Sequence, residues 1–143
     1  MAFRFLDDVT VADVAFEAWG SGLEELLRSA WQALLEVMLP GGGAPPDSAD
    51  RSLSLAAPGE EELLFALLEK IVYVKDAEGL LLVPLELRLA RRGEGMALDA
   101  RARAARAEEL GERLGTDVKA VTMHRFALAR EAGGYRATVV LDV

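Results

Sequence analysis

Apolar and polar positions alternate along this chain with two different periods, and the changes of period mark its elements. Phe3 to Leu6 and Val9 to Trp19 read as extended segments. In the second, Val14, Phe16 and Ala18 alternate with Asp13, Ala15 and Glu17, giving one apolar face. Gly20 ends that run. From Leu23 the period becomes helical: Leu23, Leu26, Leu27, Ala30, Trp31, Leu34, Leu35 and Met38 share one face of a predicted amphipathic helix. Ser21 and Glu24 have capping-box spacing at its start, and Pro40-Gly-Gly-Gly-Ala-Pro-Pro stops it.

Arg51 to Ala57 predicts a short strand with Leu53 and Leu55 on one face. Glu60, Glu61 and Glu62 then stand where a helix N-terminus favours negative charge, and Leu64, Leu67, Leu68, Ile71 and Val72 give that second helix an inward face to about Val74. Asp76-Ala-Glu-Gly79 reads as a turn into a strand over Leu80–Ala90, where Pro84 marks an edge or a bulge. Arg91 to Gly95 reads as a hairpin turn into a strand over Met96–Arg103. A turn or two of helix is expected within 104–115. Val118 to Arg130 and Tyr135 to Val143 form a last hairpin across Gly133-Gly134. The order β-β-α-β-α-β-β-β-β predicts an α+β fold, a single domain over 1–143, with largely antiparallel sheet packed against two amphipathic helices. Trp19 and Trp31 are expected in its core.

Composition narrows the chemistry. A chain of 143 residues can bury roughly two-thirds of the surface it exposes unfolded, enough for a core without staples. There is no cysteine and a single histidine, His124. Disulfides, thiolate zinc, iron–sulfur clusters, cysteine nucleophiles and multi-histidine metal centres are therefore excluded. No apolar run approaches the ~20 residues of a membrane span and no signal-peptide pattern opens the sequence, so a cytoplasmic protein is expected. The net charge of −8, from 24 acidic and 16 basic residues, argues against a surface that grips nucleic acid directly. Such a domain could still reach RNA by docking on a basic enzyme. Phosphate-binding loops, dinucleotide fingerprints, nucleophile elbows and zincin helices are all absent from the sequence.

What remains is carboxylate chemistry. Asp142 lies on the polar side of the last strand with Arg136 and Thr138, beside the main-chain carboxylate of Val143. Two carboxylates at one spot offer hard oxygens suited to Ca²⁺, Mg²⁺ or Mn²⁺, whereas a frayed end would leave a solvated aspartate. Asp13 interrupts an apolar stretch and either faces water or has a partner. Lys119 is flanked by Val118 and Ala120 on one side and Val121 and Met123 on the other. A strand covered on both faces would make its ammonium snorkel or pair. His124 is as readily a structural histidine as a ligand.

The residues Ala12-Asp13-Val-Ala-Phe-Glu-Ala-Trp-Gly20, Gly22-Leu-Glu-Glu, Asp76-Ala-Glu-Gly79, Val118-Lys-Ala-Val-Thr-Met-His124 and Val140-Leu-Asp-Val143 together resemble the archease family over nearly the whole chain. That resemblance implies a small non-catalytic protein that activates an RtcB-type tRNA-splicing RNA ligase, promoting its guanylylation and repeated turnover. It also implies a bound divalent cation, calcium in the first instance and magnesium or manganese otherwise. By the same likeness the metal ligands fall on Asp13, Asp142 and Val143, with Lys119 balancing charge or contacting a nucleotide phosphate and His124 as a neighbour. The family's His-Thr before Ala-Asp is replaced by Thr10-Val11. Expected partners are the ligase itself, RNA only through it, and no membrane, with the chain a monomer or weak oligomer. The competing classes are a metal-dependent phosphoester hydrolase and a chaperone-like interaction module.

Overall fold

The computed structural model describes residues 2–7 and 13–143. Strands β1 (Phe3–Leu6) and β2 (Asp13–Gly20) lead into helix α1 (Leu23–Met38). Strand β3 (Ala49–Ala57) precedes helix α2 (Glu60–Glu78), and β4 (Leu80–Arg92) and β5 (Gly95–Arg106) form a hairpin. A short helix α3 (Ala107–Leu110) and a 3₁₀ turn (Gly111–Arg113) follow, before the hairpin β6 (Ala120–Glu131) and β7 (Gly134–Asp142). All described pairings are antiparallel, in two sheets ordered β1-β2-β7-β6 and β3-β5-β4. Both helices pack on both sheets and on each other, so one continuous core joins Phe16, Leu27, Trp31, Leu34, Leu64, Leu68, Ile71, Leu98 and Val139. This is the α+β class expected from the pattern. The part of the second extended segment before Asp13 lies outside the described residues.

Several local departures have physical causes. The capping partner of Ser21 is Glu25, not Glu24: the Ser21 hydroxyl donates to Glu25 Oε2 at 2.6 Å, and the Ser21 amide donates to the same oxygen. The helix cap itself is Gly22, so Ser21 sits one residue too early for a capping box. Helix α2 runs through Asp76-Ala-Glu78, which the sequence presents as a turn. It ends at Gly79, whose left-handed φ of 67° lets its amide close on the Lys75 carbonyl. Pro84 stands on the edge strand β4, beside a register shift between Pro84 and Glu86. That extra residue reverses the side-chain phase, so Leu82 before it and Leu87 after it both face the core while Glu86 and Arg88 stay outside. Of the two tryptophans only Trp31 is a core residue, fully buried with its Nε1 donating to the Leu82 carbonyl at 2.8 Å. Trp19 shares the parity of Asp13 and Glu17, lies on the outer side of its sheet, and is 37% exposed with Arg136 over its ring.

Candidate metal centre

Alternation along β2 and β7 sorts the four-stranded sheet into two faces. Val14, Phe16 and Ala18 pair with Leu141, Val139 and Ala137 toward the helices. The other face carries the rungs Asp13–Asp142, Ala15–Val140, Glu17–Thr138 and Trp19–Arg136. Asp13 is thus directly opposite Asp142, although 129 positions of sequence (142 − 13) separate them. Directly opposed residues on one face have Cβ atoms about 4.5–5.5 Å apart, so both carboxylates belong to one small volume. Both residues are half-buried. The next rung inward, Ala15–Val140, is buried and apolar, which lowers the local dielectric on one side of the acids.

Lys119 joins them through the backbone. Its amide donates to the Asp142 carbonyl at 2.8 Å, while Ala120 is the residue paired with Asp142. Two successive residues therefore face one, which is a bulge at the start of β6. The burial sequence agrees: Val118 is buried, Lys119 and Ala120 are exposed, and Val121 is buried again. This phase leaves Lys119 and Ala120 both exposed, with Ala120 in register opposite Asp142. The sequence expectation that apolar residues cover both faces here is corrected, since Ala120 is exposed and Met123 is 65% exposed.

Val143 follows Asp142 out of the strand, its side chain half-buried against the core. The ladder does not bring His124 into the Asp13–Asp142 rung. It lies on the edge strand β6 in a four-residue excursion between the pairs Thr122–Val140 and Ala127–Thr138. Next to it Arg125 has a left-handed φ of 57°. Thr10 and Val11 lie outside the described residues. Among the described residues no three His, Asp or Glu side chains gather as a metal cluster. The side-chain donors this rung offers are the two carboxylates of Asp13 and Asp142. An all-oxygen set of that kind fits a hard cation that keeps part of its hydration, and does not fit zinc or copper.

Two further groups shape the electrostatics. Glu17 accepts from Arg4 Nε at 2.7 Å and lies 3.5 Å from Arg136. The hydrogen bond from Arg4 holds its carboxyl below the usual range. Lys75, in the last turn of α2, is a residue the sequence reading passed over. Its Nζ donates to the Val118 carbonyl at 2.8 Å and pairs with Asp117 and with Asp76, the latter at 2.7 Å. Burial opposes its charge, but the hydrogen bonds with Asp117 and Asp76 outweigh that and raise its pKa. A lysine near a helix C-terminus looks like an ordinary dipole partner. The signal that could have marked it is its place on the apolar side of α2 next to the buried Val74.

Fold and face together define a class: a small α+β protein of two antiparallel sheets, with acids from distant parts of the chain opposed on one sheet face. The family model for the archease protein family matches residues 3–143. The chain is 30% identical to the protein archease of Archaeoglobus fulgidus, covering 100% of both chains. It is 29% identical to that of Methanothermobacter thermautotrophicus, covering 99% of this chain and 98% of the relative. Its fold matches the solution structure of a Methanobacterium thermoautotrophicum protein with a TM-score of 0.83 at 29% identity over 99% of each chain. It also matches the crystal structure of a Thermotoga maritima archease, described as a possible chaperone, with a TM-score of 0.65 at 22% identity over 98% of each chain. The chain belongs to the archease family.

Proposed function

We propose that this protein is a divalent-cation-binding accessory factor that activates an RtcB-type RNA ligase and performs no catalysis of its own. The observation that carries this reading is the direct opposition of Asp13 and Asp142 in the β2–β7 ladder. Two carboxylates held side by side repel one another, and a cation shared between them turns that cost into binding energy. Asp13, Asp142 and Val143 would hold the ion, calcium, magnesium or manganese, with Lys119 limiting the excess negative charge. When bound, the cation supplies charge neutralisation and orientation for nucleotidyl transfer on the partner. The chain's net charge of −8 complements a basic RNA-handling enzyme and would speed their encounter. RNA is then met only through the ligase.

The deciding experiment is multiple-turnover ligation of cleaved RNA by such a ligase with GTP and Mn²⁺. Wild-type protein raises the turnover number and Asp142→Ala does not. No stimulation by wild type, or full stimulation by Asp142→Ala, refutes the reading. Turnover of a phosphoester by the isolated protein would favour a hydrolase instead.

A further inference from the structure

The segment that delivers Lys119 to the acidic rung is tied down at several points before β6 begins. Its backbone docks on the last turn of α1, where the Gly115 amide donates to the Met38 carbonyl at 2.8 Å and the Thr116 amide to the Val37 carbonyl at 2.9 Å. The approach is so close that a Cβ on Gly115 would lie 2.5 Å from the Val37 carbonyl oxygen. The next residues are gripped by a side chain. The Lys75 ammonium, on a side chain only 9% exposed, reaches the Asp117 carboxylate and the Val118 carbonyl. One residue further, Lys119 donates to Asp142. An unbroken chain of contacts therefore runs from the end of α2 through Lys75, Val118 and Lys119 to Asp142.

We infer that Lys75 is a positioning residue for the acidic face: by holding the Val118 carbonyl it fixes the bulge through which Lys119 meets Asp142. For its effect on a cation, this rests on the reading of Asp13 and Asp142 as a binding site. The side-chain donor at this carbonyl is the Lys75 ammonium. The Val118 carbonyl points toward the end of α2, where backbone carbonyls cannot donate to it, and Lys75 has protons enough for three acceptors at once. Its stem lines a cavity of about 300 Å³ with Met38, Leu81 and Leu114, so an unbranched apolar side chain can replace it without emptying the space. Without the ammonium, the loop keeps its backbone contacts to α1 but loses the grip at Val118.

Two variants of the full chain separate positioning from general destabilisation. Lys75→Met removes the donor and keeps the stem. Asp117→Asn weakens the ion pair and leaves the Val118 contact in place. Amide exchange at Lys119 and Ala120, normalised to Val139 in the same sheet, is measured together with Ca²⁺ affinity by calorimetry. Lys75→Met speeds the normalised exchange and weakens Ca²⁺ binding roughly tenfold, within the range for residues that orient a metal ligand set, while Asp117→Asn leaves both near wild type. Unchanged exchange at Lys119 in a folded Lys75→Met protein overturns the inference, as does an Asp117→Asn variant that matches it. If wild type binds no Ca²⁺, the cation reading falls, and the exchange comparison by itself still decides whether Lys75 positions the bulge.

Discussion

Replacing Asp142 by asparagine removes one negative charge from the Asp13–Asp142 rung and keeps the shape of the side chain. Opposed carboxylates about 5–6 Å apart in a water-like dielectric repel by roughly 0.7 kcal/mol. In chelator, then, Asp142→Asn should melt at or slightly above wild type, by less than about 3 °C for a chain of this size. With a divalent cation the order reverses. A ligand at one hundred times its dissociation constant stabilises the state that binds it by about 2.7 kcal/mol, which corresponds to roughly 8 °C. Wild type should gain that shift and Asp142→Asn should lose most of it. The assay is a calcium titration of the thermal midpoint for both proteins, in chelated buffer of fixed ionic strength. The crossing of the two curves is the signature. An equal calcium-induced rise in both would place the cation elsewhere, and a large loss of stability for Asp142→Asn in chelator would show that the aspartate serves the fold rather than an ion.

Other consequences are checked more simply. Trp31→Phe deletes the donor to the Leu82 carbonyl in a fully buried site and should cost about 2–4 kcal/mol in urea unfolding; a loss below about 1 kcal/mol would mean that α1 and β4 are not coupled there. Gly20→Ala would place a Cβ 2.5 Å from the Leu26 amide nitrogen, whereas a Cβ at Gly22 meets nothing within 4 Å. The first should lose more than about 2 kcal/mol and the second less than about 1 kcal/mol, a contrast readable from paired melts. Because the folded pKa of Lys75 is raised above its ordinary 10.5, its contribution is complete below that pH and is lost as pH climbs through the folded value. The stability gap between wild type and Lys75→Met should therefore be flat at neutral pH and shrink above about 10.5; a gap that persists at high pH would show that the charge is not what matters.

Much of this was legible in the sequence because it rests on short-range periodicity. The stripe from Leu23 to Met38 and the alternation of Tyr135, Ala137, Val139, Leu141 and Val143 specify which faces are buried, and the structure buries the same stripe and, along the strand, Ala137, Val139 and Leu141 fully, with Tyr135 and Val143 half-buried. Asp13 stood out because it interrupts an apolar stretch, and Asp142 because it lies beside the main-chain carboxylate of Val143. Trp19 was misjudged for want of following the parity of Asp13 and Glu17 one residue pair further, since size alone suggested burial. The bulge at Lys119 and Ala120 could not be read, because a run of apolar neighbours on both sides hides a change of phase. Nor could Lys75, whose partner Asp117 is brought to it only by the fold. Long-range contacts of that kind leave no local trace in the pattern.

The β2–β7 ladder also sets the order of events in folding. Its two strands are divided by most of the polypeptide, and pairings so distant must pay the entropy of closing a very long loop before any contact rewards it, which makes such topologies slow to form. Loop-closure entropy alone therefore ranks the Asp13–Asp142 rung behind the local hairpins β4–β5 and β6–β7. Until that rung forms the two acids are far apart on a fluctuating coil and offer an ion nothing to hold. Capture of a cation on this face would thus act as a sign of maturity, separating finished molecules from half-folded ones before either meets a partner.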